Sequence, residues 1–215
     1  TNALGASTTG CRNIAIGDLA LAAGVTTGIN NVAVGTASMD VLTSGTDNVA
    51  IGVNSLGAAT SGCDNIAIGQ LALGAGVTTG FKNIAMGVSA MDALTTGYLN
   101  VAMSNNALGD LTTGCYNVAI GTEALHSSVT GCFNLAIGKC ALGGVVTGIN
   151  NIAMGTNAMD ALTSGICNVA IGTNALGAST TGCRNIAIGE LAMGAGVVTG
   201  SNNIALGNAT MDALT

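Results

Sequence analysis

The chain has 215 residues, a formal net charge of −6 and an unusual composition, with 34 glycines, no proline or tryptophan, and only 7% charged residues. An ordinary soluble domain has about 25% charged residues, so much of this surface is expected to be covered by other chains. The 4 basic residues form no stripe, and nucleic acid is therefore not predicted as a partner. Thr-Gly or Asn interrupts every apolar run well before the roughly 18 residues of a membrane-spanning helix, so the chain is not predicted to span a membrane.

A 17-residue unit organises the whole sequence. Its first copy, TNALGASTTGCRNIAIG, returns unchanged at 173–189, and diverged copies fill the rest of the chain. We number the positions of the unit 1 to 17 and call each copy a coil; the spacing is 17 residues, with 18 at three places. A fixed period of this size is typical of a solenoid. We expect one repeat solenoid over 1–215. Because neither end carries a polar cap, we interpret it as a segment of a longer fibre protein, or as a unit whose ends are covered by neighbours.

Within a coil, position 4 is always Leu or Met and position 3 beside it is small, which predicts a second short strand, or an extended side, with one large residue pointing inward. Position 10 is Gly in all twelve complete coils, and position 17 is Gly in every coil except at Ser104. These glycines predict corners with a positive φ or a close backbone approach. Two glycines and a Thr-Thr pair per coil argue against a helix.

Positions 13 to 17 read Asn-Ile-Ala-Ile-Gly in the first coil, an alternating pattern rich in β-branched residues that predicts a strand. The fold class is therefore predicted to be all-β, a parallel β-solenoid of about twelve coils. Stacked at ~4.8 Å per coil, they would form a rod roughly 60 Å long. Alternation leaves two orientations open. Either Ile14 and Ile16 point inward and an Asn-Ala-Gly strip faces out, or they point outward as an apolar stripe, and both versions call for a partner surface.

The asparagine at position 13 is the most regular polar feature. We interpret it as a structural ladder in which side-chain amides bond from coil to coil and satisfy buried polar groups at a corner. Its members are Asn13, Asn31, Asn48, Asn65, Asn83, Asn100, Asn117, Asn134, Asn151, Asn168, Asn185 and Asn203.

The seven cysteines fall mostly at position 11, as in Cys11 and Cys63. Cysteines three coils apart are ~14 Å from each other and cannot be bridged within one chain. Cys115 and Cys132 lie on adjacent coils, and Cys167 lies close to Cys183, so these two pairs are candidate cross-links. The alternative hypotheses are small half-buried side chains and links between chains of a fibre. No Cys-x-x-Cys motif is present, and zinc is not predicted.

Threonines at positions 8 and 9 invite an ice-binding hypothesis, because regular flat Thr arrays on β-solenoids order water. Adjacent residues of a strand point in opposite directions, however, so only one of the two columns need face solvent. Position 11, on the same side as position 9, varies among residues such as Thr46, Phe81 and Ile149 and breaks the array.

A slower rhythm of three coils also runs through the chain. One coil type has the extra residue and reads Gly-Ala-Gly-Val, and another reads Met-Asp-Ala-Leu. Duplication of a 52-residue block explains this rhythm simply. The aspartates at position 5, such as Asp92 and Asp212, never occur in consecutive coils and lack the glycine-rich turns of calcium-binding solenoids.

Catalytic chemistry is not predicted. His126 is the only histidine and has no cysteine or second histidine near it in the sequence. No coil assembles a nucleophile, a base and an orienting acid. We predict no catalytic residue, no metal site and no cofactor, and we do not expect an enzyme.

The Asn-x-Ala-Ile-Gly strand followed by a small-residue turn resembles the head repeats of trimeric autotransporter adhesins, the YadA-like family. The longer pattern at Thr8–Leu21 and Thr112–Leu125 is similar to repeats of phage tail-fibre and bacterial surface-fibre proteins. The resemblance implies a left-handed parallel β-roll, three chains around an axis, and a role in attachment to a receptor on a host surface.

These observations favour a self-assembling structural fibre segment, placed outside the cell on a cell or virion surface and partnered by copies of itself. One alternative is a filament subunit that stacks end to end, because an open solenoid end offers unpaired backbone groups. The other alternative is an ice-binding solenoid that uses the Thr columns.

Overall fold

The computed structural model describes residues 2–5, 9–22, 27–76, 78–144, 146–196 and 199–212. This part of the chain contains twelve three-residue strands and no helix, so the fold is all-β. No segment of it is a helix long and apolar enough to cross a membrane. The strands are β1 (Ile14–Ile16), β2 (Val32–Val34), β3 (Val49–Ile51), β4 (Ile66–Ile68), β5 (Ile84–Met86), β6 (Val101–Met103), β7 (Val118–Ile120), β8 (Leu135–Ile137), β9 (Ile152–Met154), β10 (Val169–Ile171), β11 (Ile186–Ile188) and β12 (Ile204–Leu206).

The chain forms two compact units, 1–113 with β1 to β6 and 114–215 with β7 to β12. Within each unit every strand pairs in parallel with the next strand along the chain. The register joins central alanine to central alanine, as between Ala67 of β4 and Ala85 of β5. Each coil therefore advances the chain by one strand, and the predicted parallel β-solenoid of 17–18-residue coils is confirmed.

The interior of each coil is filled by residues of the strand and of the turns. The Leu or Met at position 4 is buried from Leu21 to Met193, as predicted, but it lies in a turn with left-handed backbone, so the predicted second strand or extended side at this position is wrong. The central alanine of every strand from β2 to β12 is buried beneath the sheet. Protein interiors are close-packed, and the large interior side chains come from outside the strands: the Leu or Met at position 4 and, in four coils, a Leu at position 7 (Leu42, Leu94, Leu111 and Leu162). The strand wall contributes alanine and asparagine, and the Ile, Val, Leu and Met side chains of the strands point outward.

The corners use left-handed backbone in a way that the sequence did not indicate. Glycine at position 17 does have a positive φ, for example 133° at Gly69. In every coil from the second to the twelfth, three further residues, at positions 2, 4 and 12, are also left-handed without being glycine, as at Leu71 (57°), Leu73 (51°) and Lys82 (57°). Such a residue costs about 1–2 kcal/mol. Each of the three backbone N–H groups donates to a carbonyl of an adjacent coil, so the stacking that needs these corners also stabilises them.

Candidate functional site

The outward side chains of the strands form one regular apolar surface on each unit, which we call the apolar face. It consists of the two residues that flank the central alanine of each strand, and none of them is charged. On the first unit these are Ile14, Ile16, Val32, Val34, Val49, Ile51, Ile66, Ile68, Ile84, Met86, Val101 and Met103. On the second unit they are Val118, Ile120, Leu135, Ile137, Ile152, Met154, Val169, Ile171, Ile186, Ile188, Ile204 and Leu206.

Every side chain of the apolar face is half-buried or exposed in a single chain. Ile51 and Ile120 expose 40% and 38% of their surfaces, and Ile16 and Leu206 at the terminal strands expose 60% and 63%. Twelve such side chains give each unit on the order of several hundred Å² of contiguous apolar surface, near the ~800 Å² that each partner contributes to a stable interface. Apolar patches of this size on a soluble protein mark interaction sites. Of the two orientations left open by the sequence, the structure adopts the outward one.

Two pairs of stacked aromatic rings add to the exposed apolar surface. Phe81 stacks on Tyr98 in the first unit, with ring centroids 5.0 Å apart, and Tyr116 stacks on Phe133 at the same separation in the second. Phe81, Tyr116 and Phe133 expose between 42% and 52% of their surfaces. These four rings are all the aromatic residues of the chain. They occupy positions 11 and 12, directly before the strands, and each ring stabilises its neighbour in the next coil.

The asparagine column lies inside the solenoid. The side-chain amide of Asn83 donates to the carbonyl of Gly97 in the next coil (2.9 Å) and to Oδ1 of Asn65 in the preceding one (3.1 Å). Its own Oδ1 accepts from the backbone N–H and the side-chain amide of Asn100, both at 3.1 Å. The same arrangement recurs within the second unit, for example at Asn151. This geometry leaves no free amide for a ligand and fits the predicted structural role.

Asparagines other than Asn83 in the column share its environment. They are fully or almost fully buried from Asn31 to Asn185, and the two end members, Asn13 and Asn203, are half-buried. Among the described residues, every buried side-chain nitrogen and oxygen atom has a hydrogen-bond partner. The column therefore supports the coils from within, and the surface available to a partner is formed by the strands.

The candidate cysteine pairs are placed differently. Sγ of Cys115 lies 2.8 Å from Sγ of Cys132, and the backbone N–H of Cys115 donates to Sγ of Cys132 at 3.1 Å. Cys167 is exposed at position 12, whereas Cys183 belongs to the position 11 column, and its thiol donates to the carbonyl of Thr181. All seven cysteines are free thiols. The structure thus brings the first pair together and places the second pair in neighbouring columns.

The threonine hydroxyls at position 8 bond along the solenoid. Oγ1 of Thr43 donates to the carbonyl of Thr60 at 2.8 Å, and Oγ1 of Thr95 and Thr163 donate in the same way to Thr112 and Thr180. Each of these hydroxyls donates its single hydrogen to a carbonyl of the next coil, so only its oxygen lone pairs remain to accept a hydrogen bond from water. Thr8 lies outside the described residues.

Two aspartates at position 5 bond to the coil that precedes them. Oδ1 of Asp92 accepts from the backbone N–H of Ala75 at 2.9 Å, and Oδ1 of Asp212 accepts from that of Ala195 at 2.8 Å. In both cases the aspartate belongs to a Met-Asp-Ala-Leu coil and the donor to the 18-residue coil before it. The carboxylate therefore caps the longer turn, which has an extra backbone N–H to satisfy.

A small cleft in the second unit gathers polar residues that the sequence did not connect. It has a volume of about 220 Å³ and is lined by Glu123, His126, Cys140, Gly143 and Asp160. They occupy positions 2 and 5 of successive coils, so aligning the coils one above another would have brought them together. His126 has no cysteine near it in the sequence, but in the folded chain it lines the same cleft as Cys140.

The chemistry of the cleft argues against an activated nucleophile. The thiol of Cys140 donates to Oε2 of Glu123 at 3.4 Å. Burial and this carboxylate raise the pKa of Cys140, and burial raises the pKa of Asp160. Cys140 is therefore held as the thiol, while the thiolate is the reactive form. The described residues contain no group of three or more His, Cys, Asp or Glu side chains able to hold a metal ion.

We expect Glu123→Gln to increase the rate at which iodoacetamide alkylates Cys140 several-fold near neutral pH. Loss of the carboxylate lowers the pKa of the thiol, so more thiolate is present at a given pH. The rate is read by mass spectrometry of the tryptic fragment 140–184, with fragmentation to separate its three cysteines. Glu190→Gln makes the same charge change outside the cleft and should leave the rate unchanged. Equal rates in the two variants would show that Glu123 does not control this thiol.

Comparison of the chain with protein-family models, with curated proteins and with solved structures gave no match.

Proposed function

We propose that this chain is a structural segment of a surface fibre, which associates with copies of itself through the apolar face and presents an attachment function on a cell or virion surface. The observation that carries the proposal is the row of outward apolar side chains, two on every strand of both units, each of them half-buried or exposed. Such a surface is costly in water at roughly 25 cal/mol per Å², and burying it against another surface releases this free energy.

A second copy of the chain suits the apolar face better than a charged partner does. The face bears no charge, so a copy meets no electrostatic repulsion there. Its side chains repeat at the strand spacing of ~4.8 Å, and an identical face has the same repeat, which allows the rows of two copies to interdigitate over their whole length. Identical chains with self-complementary surfaces form closed symmetric assemblies. The resemblance to adhesin head repeats and tail-fibre repeats supports a trimer and a role in attachment.

The solution mass of the chain, measured by light scattering with and without reductant, tests this proposal. We expect a discrete oligomer whose mass is unchanged by reductant. Growth without a limit would favour the filament that stacks end to end, and a monomer would contradict association through the apolar face. Thermal hysteresis of a dilute solution would favour the ice-binding alternative.

Replacing Ile120 with Glu should dissociate the oligomer, because it places a charge in an apolar interface. An unpaired buried charge costs several kcal/mol, enough to shift a dissociation constant by at least a hundredfold. The matched control is Val129→Glu, since Val129 is similarly exposed, at 36% against 38% for Ile120, but lies in a turn away from the strands. Sedimentation velocity of both variants checks the prediction. An oligomer that survives Ile120→Glu would rule out this face as the contact.

A further inference from the structure

Cys115 and Cys132 are held side by side by the backbone of two successive coils. Both occupy position 11, and the N–H of Phe133 donates to the carbonyl of Cys115 at 3.0 Å, as expected for neighbouring parallel segments. Adjacent parallel segments lie ~4.8 Å apart, within the 4.4–6.8 Å Cα separation of protein disulfides. The two Sγ atoms are already 2.8 Å apart, so a movement of less than about 1 Å closes a bond of the usual ~2.05 Å.

The other cysteines of the position 11 column have different neighbours. Cys11 pairs with Ile29 in the next coil, Cys63 with Phe81, and Cys183 with Ser201. Position 11 aligns the side chains of successive coils, and at Cys115 and Cys132 both of the aligned residues are cysteine. Both thiols are half-buried. A small reagent therefore has access to them, while the surrounding coil fixes their separation.

We propose that Cys115 and Cys132 form an intrachain disulfide that links two successive coils when the chain meets a small-molecule disulfide as oxidant. The thiolate of one cysteine attacks the oxidant, forms a mixed disulfide and releases one small thiol. The thiolate of the other cysteine then attacks the protein sulfur of that mixed disulfide and releases the second small thiol. The protein loses two protons and two electrons and gains one S–S bond, and the oxidant is reduced to two thiols.

The disulfide closes a loop from residue 115 to residue 132, which is one full coil. Such a link fixes the position of one coil on the next by a covalent bond in addition to backbone hydrogen bonds. The raised pKa of Cys132, caused by burial and by the hydrogen bond with Cys115, makes the thiolate scarcer at neutral pH. Formation should therefore accelerate as the pH rises. The proposal concerns a single chain and does not depend on the proposed oligomer.

The sequence permits a clean test by tryptic mapping. The chain has four cleavage sites, Arg12, Lys82, Lys139 and Arg184, and fragment 83–139 contains Cys115 and Cys132 but no other cysteine. The full chain is incubated with oxidised glutathione, denatured in iodoacetamide to block free thiols, and digested. We expect fragment 83–139 to be unalkylated and two hydrogen atoms lighter than its reduced form. Fragments 1–12 and 13–82, which carry Cys11 and Cys63, should be alkylated.

Two other outcomes would overturn the proposal. A doubly alkylated fragment 83–139 would show that the pair stays reduced, and a fragment joined to a second fragment would show a link between chains or between other cysteines. Ser201→Cys is the positive control, because it places a second thiol beside Cys183 in the same column. It should join fragment 140–184 to fragment 185–215. If this engineered pair is oxidised and the native pair is not, the native pair lacks the proposed property.

Discussion

Replacing Gly80 with Ala is expected to lower the free energy of unfolding by about 3 kcal/mol or more, the upper range for overpacking a core. A methyl group at this position would collide with the carbonyl oxygen of Gly97 in the next coil. That oxygen is part of the backbone and accepts a hydrogen bond from Asn83 at 2.9 Å, so it cannot move aside without breaking the ladder. The methyl group has no torsion that would relieve the contact. The midpoint of urea unfolding, followed by circular dichroism, measures the loss.

Gly200→Ala is the matched control for this substitution. Gly200 occupies the same column, but among the described residues the only atom near its added methyl group is Nδ2 of Asn203, at 3.1 Å. We expect a change well under 1 kcal/mol, the ordinary range for a surface substitution. A similar loss in both variants would mean that glycine is needed for its own backbone conformation. A loss confined to Gly80→Ala would show that it is needed for the close approach of successive coils.

Replacing Asn83 with Ala is expected to destabilise the first unit by roughly 3–5 kcal/mol, because buried groups left without partners cost about 1–3 kcal/mol each. The carbonyl of Gly97 loses its amide donor, and the N–H of Asn100 loses its acceptor. Both groups are buried, and alanine leaves too little space for water to replace the lost side chain. The midpoint of urea unfolding reports the global effect. Faster hydrogen exchange at the N–H of Asn100 reports the local one.

Asn105→Ala provides the comparison, since Asn105 is an exposed asparagine of the same unit. Its loss should change the unfolding midpoint little. The stability of a solenoid is approximately the sum of the stabilities of its single coils and of the interactions between adjacent coils. The effect of Asn83→Ala should therefore be concentrated in the adjacent coils. Unchanged exchange at Asn100 in that variant would contradict the ladder as the source of stability.

Much of the fold was readable from the sequence because the repeat constrains it strongly. A strict 17-residue period, glycine at two fixed corners and one alternating β-branched segment per coil leave a parallel solenoid as the only consistent arrangement. The inward Leu or Met at position 4 followed from the small residue beside it. The asparagine ladder followed from the rule that buried amides need partners.

The sequence by itself determined the repeat, the strand in each coil and the identity of the stacked columns, because these depend on local pattern and on the identity of neighbouring coils. The direction of Ile14 and its equivalents was decided only by tertiary structure, since alternation is symmetrical and the interior is filled by the central alanines, the asparagine column and the large side chains from outside the strands. Contacts between coils also decided the left-handed backbone at Leu73 and the caps made by Asp92. They likewise gathered His126 and Cys140 around one cleft, because these residues meet only when one coil is stacked on another.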